Sequence, residues 1–164
     1  TGVNNRRFFD QRLLEEVGRA RRTQEPLTCL FMDVDHFKKV NDEHGHQTGD
    51  QVLRVVAGLI REQLRASDVL GRYGGEEFAA LLVNASGEAA MEIAERIRAV
   101  IEAHPFEAMD GQSMAMTISV GVATLPDTGQ EASLEMLATE LVDRADQGVY
   151  AAKRQGRNQV VLME

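Results

Sequence analysis

The sequence predicts an α+β fold, a central and mostly antiparallel sheet flanked by helices, and three features carry that expectation. Helical periodicity alternates with paired apolar runs rather than with single strands, which disfavours an all-parallel doubly wound sheet. Two junctions between apolar runs hold turn dipeptides, Gly74-Gly75 and Asp110-Gly111, which are signals of tight hairpins. The chain has 164 residues, 43% of them hydrophobic. That suits one core, so residues 1–164 read as one domain without repeats, low-complexity tracts or linkers.

The elements follow in order. From about Arg6 to Arg22 the pattern is charged and helical, and after Pro26 the run "LTCLFMDV" reads as a buried strand with Asp33 and Asp35 at its C-terminal end. Beyond the short segment "HFKKVNDEHGH", Gly49-Asp50 introduces a helix with Val52, Val56, Leu59, Ile60 and Leu64 on one face and Asp50 as a candidate N-cap. Asp68 to Val83 reads as two strands joined at Gly74-Gly75. Ser86 and Gly87 open a helix whose residues Ala90, Ile93, Ala94, Ile97, Val100 and Ile101 recur at helical spacing, closed by His104-Pro105. A second hairpin turns about Asp110-Gly111 and leads to a long strand, expected to be central, with Met116, Ile118, Val120 and Val122 on one face. The last helix turns Leu134, Leu137, Leu141, Ala145, Val149 and Ala152 inward and ends at Gly156, and "QVVLM" closes the sheet.

Composition excludes several functions. A formal net charge of −8 argues against broad binding to nucleic acid or to an anionic membrane, both of which need a basic face. A polyanionic small ligand therefore needs cations as intermediaries. The single cysteine, Cys29, lies in an apolar run without a partner, which reads as a core residue in a reducing, cytoplasmic setting. No stretch is apolar enough to span a membrane, so no direct membrane contact is expected of this segment.

Glu76 and Glu77 stand side by side after two glycines. As an isolated pair they read as solvated surface charge, and the glycines as hairpin chemistry. Asp33, at the end of another strand, offers a third carboxylate, and such a trio suits Mg²⁺ bound together with substrate phosphates. The residues by themselves support both readings equally.

The string "RYGGEEF" resembles the signature of the GGDEF family, the diguanylate cyclases, in its GGEEF form. Four further blocks resemble the family in order and spacing: "TGVNNRRFF" at Thr1 to Phe9, "MDVDHFKKVNDEHGHQTGD" at Met32 to Asp50, "TISVGVA" at Thr117 to Ala123 and "RADQGVYAAKRQGRN" at Arg144 to Asn158. The resemblance covers nearly the whole chain. Family members usually carry a few more residues before the first block, which implies a chain that begins inside a larger protein, after its regulatory part.

The resemblance implies a nucleotidyl cyclase or polymerase palm-like fold and a bacterial signalling enzyme. It would condense two GTP into cyclic di-GMP and two pyrophosphates across a homodimer of domains. It implies Asp33, the carbonyl of Val34, Glu76 and Glu77 as ligands of Mg²⁺, or alternatively Mn²⁺. Glu76 would also be the proton acceptor and Lys38 a stabiliser of phosphoryl charge. Asn41, His46 and Asp50 match substrate positions, Asn41 and Asp50 suiting the edge of guanine. Gly74 and Gly75 would admit the nucleotide, and Lys153 and Arg157 would meet its phosphates. Taken alone, Asp50 is equally a helix cap, Asn41 a turn residue, and Lys153 and Arg157 favourable charges near a helix C-terminus.

Arg65 and Asp68 form an RxxD pair ahead of the signature, as in members that bind their own product at an inhibitory site, with Arg96 as a supporting arginine and Arg19 a weaker candidate. The competing reading of that pair is an ordinary surface ion pair. Two functions stay in view: an active cyclase with product inhibition, and a catalytically silent module that binds GTP or cyclic di-GMP. The location is expected to be cytoplasmic, with any membrane anchor upstream.

Overall fold

The computed structural model describes residues 2–127 and 131–164; Thr1, the first residue of the opening block, lies outside them. Helix α1 (Arg6–Thr23) begins at Asn5, whose side chain caps Phe8 N–H. Every residue of strand β1 (Leu27–Val34) is buried. Its side chains alternate between two cores. Leu30, Met32 and Val34 join one with α3 (His46–Gln63) and α4 (Gly87–Ala103); Cys29 and Phe31 join the other with α1 and α5 (Leu134–Arg154). Burial pushes the Cys29 thiol up to about 12, so it is an inert core residue.

The main sheet has five strands in the order β2-β3-β1-β6-β7, with β2 (Val69–Arg72), β3 (Glu77–Val83), β6 (Ile118–Thr124) and β7 (Val160–Met163). All pairings are antiparallel except β6 with β7, which is parallel because α5 crosses over between them. The central position belongs to β1 and not, as expected, to β6, which is its interior neighbour and begins at Ile118, so Met116 lies outside it. Strands β4 (Phe106–Glu107) and β5 (Ser113–Met114) form the second hairpin as a separate two-stranded sheet about Gly111. Among the described residues no helix is long and apolar enough to cross a membrane.

Two local expectations are corrected. The segment expected as a connection is helix α2 (Phe37–His44), and α3 starts at His46 with Gly45 as its N-cap, so Gly49 and Asp50 lie inside α3 and Asp50 caps nothing. Gly49 is there for space: a Cβ on it would meet Asn41 Oδ1 at 1.9 Å and Phe37 Cζ at 3.1 Å. The first hairpin is also wider than a two-residue turn. Tyr73 and Gly74 both donate N–H bonds to Glu77 O (2.8 and 3.3 Å), and neither Gly74 nor Gly75 takes a positive φ.

Helix α5 sits unusually deep on the sheet. A Cβ on Gly121 of β6 would lie 1.9 Å from Ala145 O and 2.6 Å from Val149 N, and one on Gly148 would lie 2.7 Å from Gly121 Cα. Backbone meets backbone there, with no side chain that could turn aside. Gly121→Ala is expected to cost about 3 kcal/mol or more in urea unfolding, at the upper end of overpacking effects. Gly58→Ala, on α3 with nothing within 4 Å of the new methyl, is expected to gain about 0.5–1 kcal/mol instead.

Candidate active site

Strand pairing builds the site. Asp33 stands directly opposite Glu77 in the β1–β3 register, so both side chains leave the sheet on the same face, the one covered by α1 and α5. Val34 N–H donates to Glu76 O at 3.2 Å, which draws the turn to the end of β1. Arg72 braces it from below, donating to Gly74 O (3.3 Å) and Gly75 O (2.6 Å). From α5, Lys153 Nζ lies 2.9 Å from Asp33 Oδ2. The structure thus gathers Asp33, Val34, Glu76, Glu77 and Lys153 around the C-terminal end of β1.

The electrostatics of this cluster are unbalanced. Burial, with Asp33 as the next cause, raises the pKa of both Glu76 and Glu77 above the usual carboxylate value. Lys153 opposes both shifts without cancelling them. Asp146, one and a half to two turns before Lys153 on α5, is raised as well, by burial, Asp143 and Asp33. Asp33 Oδ1 is buried without a hydrogen-bond partner.

A surplus of hard oxygen donors with one orphaned carboxylate oxygen fits a divalent cation of the Mg²⁺ class. As the side chains stand, no three His, Cys, Asp or Glu groups among the described residues converge in metal-ligating geometry, and the lysine holds Asp33. The donor chemistry supports the cation.

The other candidate residues fall into two groups. Lys38 and Asn41 are on α2, which leaves the end of β1 through His36 at φ 56°, and Lys38 is exposed. Asn41 packs over Gly49 and so lies beside the start of the Gly49-Asp50 step; Asp50 and His46 are exposed on the first turns of α3. Gly75 has open space where a Cβ would be, whereas a Cβ on Gly74 would meet Glu77 Oε1. Arg157 is exposed in the turn after α5. That turn is a Schellman motif, with Gly156 at φ 119°, Arg157 N–H bonded to Ala152 O at 2.9 Å and Gly156 N–H to Lys153 O at 3.4 Å. The chain then keeps positive φ through Arg157 (66°) and Asn158 (49°), a conformation that costs about 1–2 kcal/mol for a residue such as arginine.

Arg65, Asp68 and Arg96 meet elsewhere. They cluster at the C-terminal end of α3, where Arg96 donates to Gln63 O (3.4 Å) and the Arg65–Asp68 pair closes at 3.4 Å. Asp68 is more than half of a surface pair: its side chain is fully buried and accepts Arg65 N–H (2.9 Å) and Val83 N–H (3.2 Å). Arg61, which sequence reasoning passed over, donates to Arg65 O and Asp68 O. This arginine patch lies at the Val83 end of β3, and Glu77 at the other, about 20 Å away along the strand. Arg19 pairs with buried Glu16 at 3.4 Å.

Sequence reasoning also missed Asp35 and Asp146 as members of this neighbourhood. The D-x-D spacing of Asp33 and Asp35 was a usable signal, since it gives both the same side of the chain. Nothing local marked Asp146, which arrives by helix packing.

Comparison with known proteins gives a consistent result. The family model described as "Diguanylate cyclase, GGDEF domain" matches residues 1–159. The chain is 41% identical over 160 residues to the diguanylate cyclase DgcP of Pseudomonas aeruginosa, covering 98% of this chain and 23% of that protein. Among solved structures, the GGDEF domain of YfiN (TpbB) from Pseudomonas aeruginosa superposes with a TM-score of 0.90 at 39% identity, covering 99% of this chain and 98% of that one. The GGDEF domain of DgcB from Caulobacter crescentus, solved in complex with c-di-GMP, gives a TM-score of 0.91 at 32% identity and covers 99% and 92%. The chain spans less than half the length of the curated relatives it matches.

Because Glu76 and Glu77 hold protons more tightly folded than unfolded, each subtracts stability as pH rises from the ordinary carboxylate range through its raised value. Glu76→Gln and Glu77→Gln are each expected to raise the melting temperature at pH 7 by about 1–3 °C. In paired thermal melts that advantage should shrink as pH is lowered and the native glutamates become neutral.

Proposed function

Since the chain belongs to the GGDEF family, we propose that it is the catalytic domain of a diguanylate cyclase, condensing two GTP into cyclic di-GMP and two pyrophosphates, and inhibited by its product. One observation carries the reading: Asp33 and Glu77 face each other across the β1–β3 ladder, with Glu76 beside them and Gly75 open to solvent. A turn that gathers like charges while clearing space beside them suits a cation-bound polyphosphate. A solvated surface pair requires neither feature.

In this reading each domain holds one GTP and two domains meet face to face, as a homodimer. The 3′-hydroxyl of one nucleotide attacks the α-phosphorus of the other, and pyrophosphate leaves. Glu76 takes the hydroxyl proton, and its raised proton affinity suits that role. Lys38, Lys153 and Arg157 offset charge on the phosphates, together with the N-terminal turn of α2, whose first N–H groups have no intrahelical acceptor. Asn41 and Asp50 present an amide and a carboxylate to guanine, Asp50 accepting from N1–H and N2–H; adenine, lacking that donor pair, is disfavoured. His46 stands at the same end of α3 as a further substrate contact. A divalent cation held by Asp33, the Val34 carbonyl, Glu76 and Glu77 supplies charge neutralisation at the reacting phosphoryl group.

Product inhibition is assigned to the arginine patch, where Arg65 and Arg96 can donate to guanine O6 and N7. The buried Asp68 fixes the turn that carries Arg65. The complex of DgcB with c-di-GMP supports product binding within the family. The domain is assigned to the cytoplasm, where GTP is available.

The decisive assay incubates concentrated, nucleotide-free protein with GTP and Mg²⁺ and resolves products by anion exchange. Cyclic di-GMP is expected from the unsubstituted protein, with turnover lowered about 10³-fold in Glu76→Ala. Asp33→Asn is expected to lose about 10²-fold or more. Binding of GTP or cyclic di-GMP without product would instead establish a receptor module. Arg65→Ala, which leaves Asp68 in place, is expected to abolish cyclic di-GMP-induced association in light scattering while turnover persists.

A further inference from the structure

Asp35 is 3% exposed and every oxygen of its side chain is taken. Oδ1 accepts from Ser119 Oγ at 2.7 Å; Oδ2 accepts from Thr117 Oγ1 at 2.7 Å and from the backbone N–H of Asn158 at 3.0 Å. Its own N–H donates to Thr117 O at 2.9 Å. The two hydroxyls, Ser119 on β6 and Thr117 just before it, fix the carboxylate, and the third bond reaches out of the sheet to the turn beyond α5. Asn158 is latched a second time through its side chain, whose Oδ1 accepts from Arg98 Nη1 at 2.8 Å and whose Nδ2 donates to Glu102. Both partners are on α4.

That doubly held residue directly follows Arg157. After the Schellman turn a chain would ordinarily return to negative φ, yet Arg157 and Asn158 both stay left-handed. Strain of this kind persists only where the surroundings over-determine it. Here they do so through Asp35 from the strand side and Arg98 and Glu102 from the helix side. The two carboxylates at the end of β1 therefore hold opposite ends of one short segment. Asp33 holds Lys153 at 2.9 Å, and Asp35 holds the backbone just after Arg157.

We propose that Asp35 is a positioning residue: oriented by Thr117 and Ser119, it fixes the left-handed turn that presents Arg157, next to Lys153, to the phosphates of the nucleotide. This rests on the reading above that Arg157 meets those phosphates. Asp35 itself touches no substrate, because its acceptors are filled from within the fold. The role differs from that of Asp33, which keeps one oxygen without a partner.

The test is a double-mutant cycle read by equilibrium binding of a non-hydrolysable GTP analogue with Mg²⁺, with thermal melts to check folding. Asp35→Asn is expected to weaken binding about tenfold, the scale of one hydrogen bond to a carboxylate. In an Arg157→Ala background the same substitution should change affinity by less than about twofold, since the residue it positions is gone. Equal losses in both backgrounds, or no loss in either, would overturn the inference, because a merely structural carboxylate acts regardless of Arg157. If Asp35→Asn does not fold, Thr117→Val carries the test, with an expected loss of about threefold and the same dependence on Arg157. Unchanged affinity in that variant would overturn the inference. Failure of the unsubstituted protein to bind the analogue would overturn the reading of the site and this inference with it, whereas binding that is indifferent to Asp35 and Thr117 overturns the inference alone.

Discussion

The backbone contact between Gly121 on β6 and Gly148 on α5 is the constraint on which the rest of this structure depends. It lets the helix settle against the sheet with no side chain between them, which sets both the depth and the axial position of α5. Lys153 lies five residues further on, about 7.5 Å along the helix axis, and that seating brings its ammonium group to Asp33. Asp146, two residues before Gly148, is carried into the same carboxylate field. The Schellman turn then returns the chain as β7, parallel to β6, so both ends of the crossover are tied to the strand that holds Gly121.

Against that frame the sheet holds charge where a fold optimised for stability would not. Asp33, Glu76 and Glu77 repel one another in a partly desolvated corner, and Lys153 compensates only part of it. The hydrophobic cores on the two faces of β1 supply the stability that makes this arrangement tolerable, with Phe9, Phe78, Leu81, Leu82, Ile97 and Ile101 almost wholly buried. Local repulsion held in place by remote packing is the usual condition of sites that recruit a cation or a substrate.

The hairpin β2–β3 links two regions of opposite character. Its turn carries the carboxylates, while its far end is anchored by the buried Asp68 next to a patch of arginines on an otherwise acidic protein. The same strand therefore presents an acidic end, drawn in by the N–H of Val34 donating to Glu76 O, and a basic end, where Val83 N–H donates to the Asp68 carboxylate. Arg98 and Glu102 add a further link, because α4 bears Arg96 toward the arginine patch and also latches Asn158 at the opposite corner.

Much of this was legible in the amino-acid sequence. The apolar run "LTCLFMDV", the cap at Ser86 and the glycine at 156 are local signals, read by propensity and hydrogen-bonding chemistry within a few residues of each position. The sequence also offered Asp33, Glu76 and Glu77 as a carboxylate trio, whereas Lys153, Asn41 and Asp50 stood out only through the family resemblance. It misjudged Gly49 and Gly74, whose small size answers to Asn41 and Glu77 across space and not to their own backbone angles. It gave no role to Asp35 or Asn158, which matter through partners 84 and 123 residues away in the chain. Sequence by itself determined most of the elements and the residue types available for chemistry, because those follow from local periodicity. Only the tertiary structure decided which carboxylates share a field, which lysine answers them and which buried group holds the final turn. Those are properties of β-register and of how closely a helix can approach a sheet.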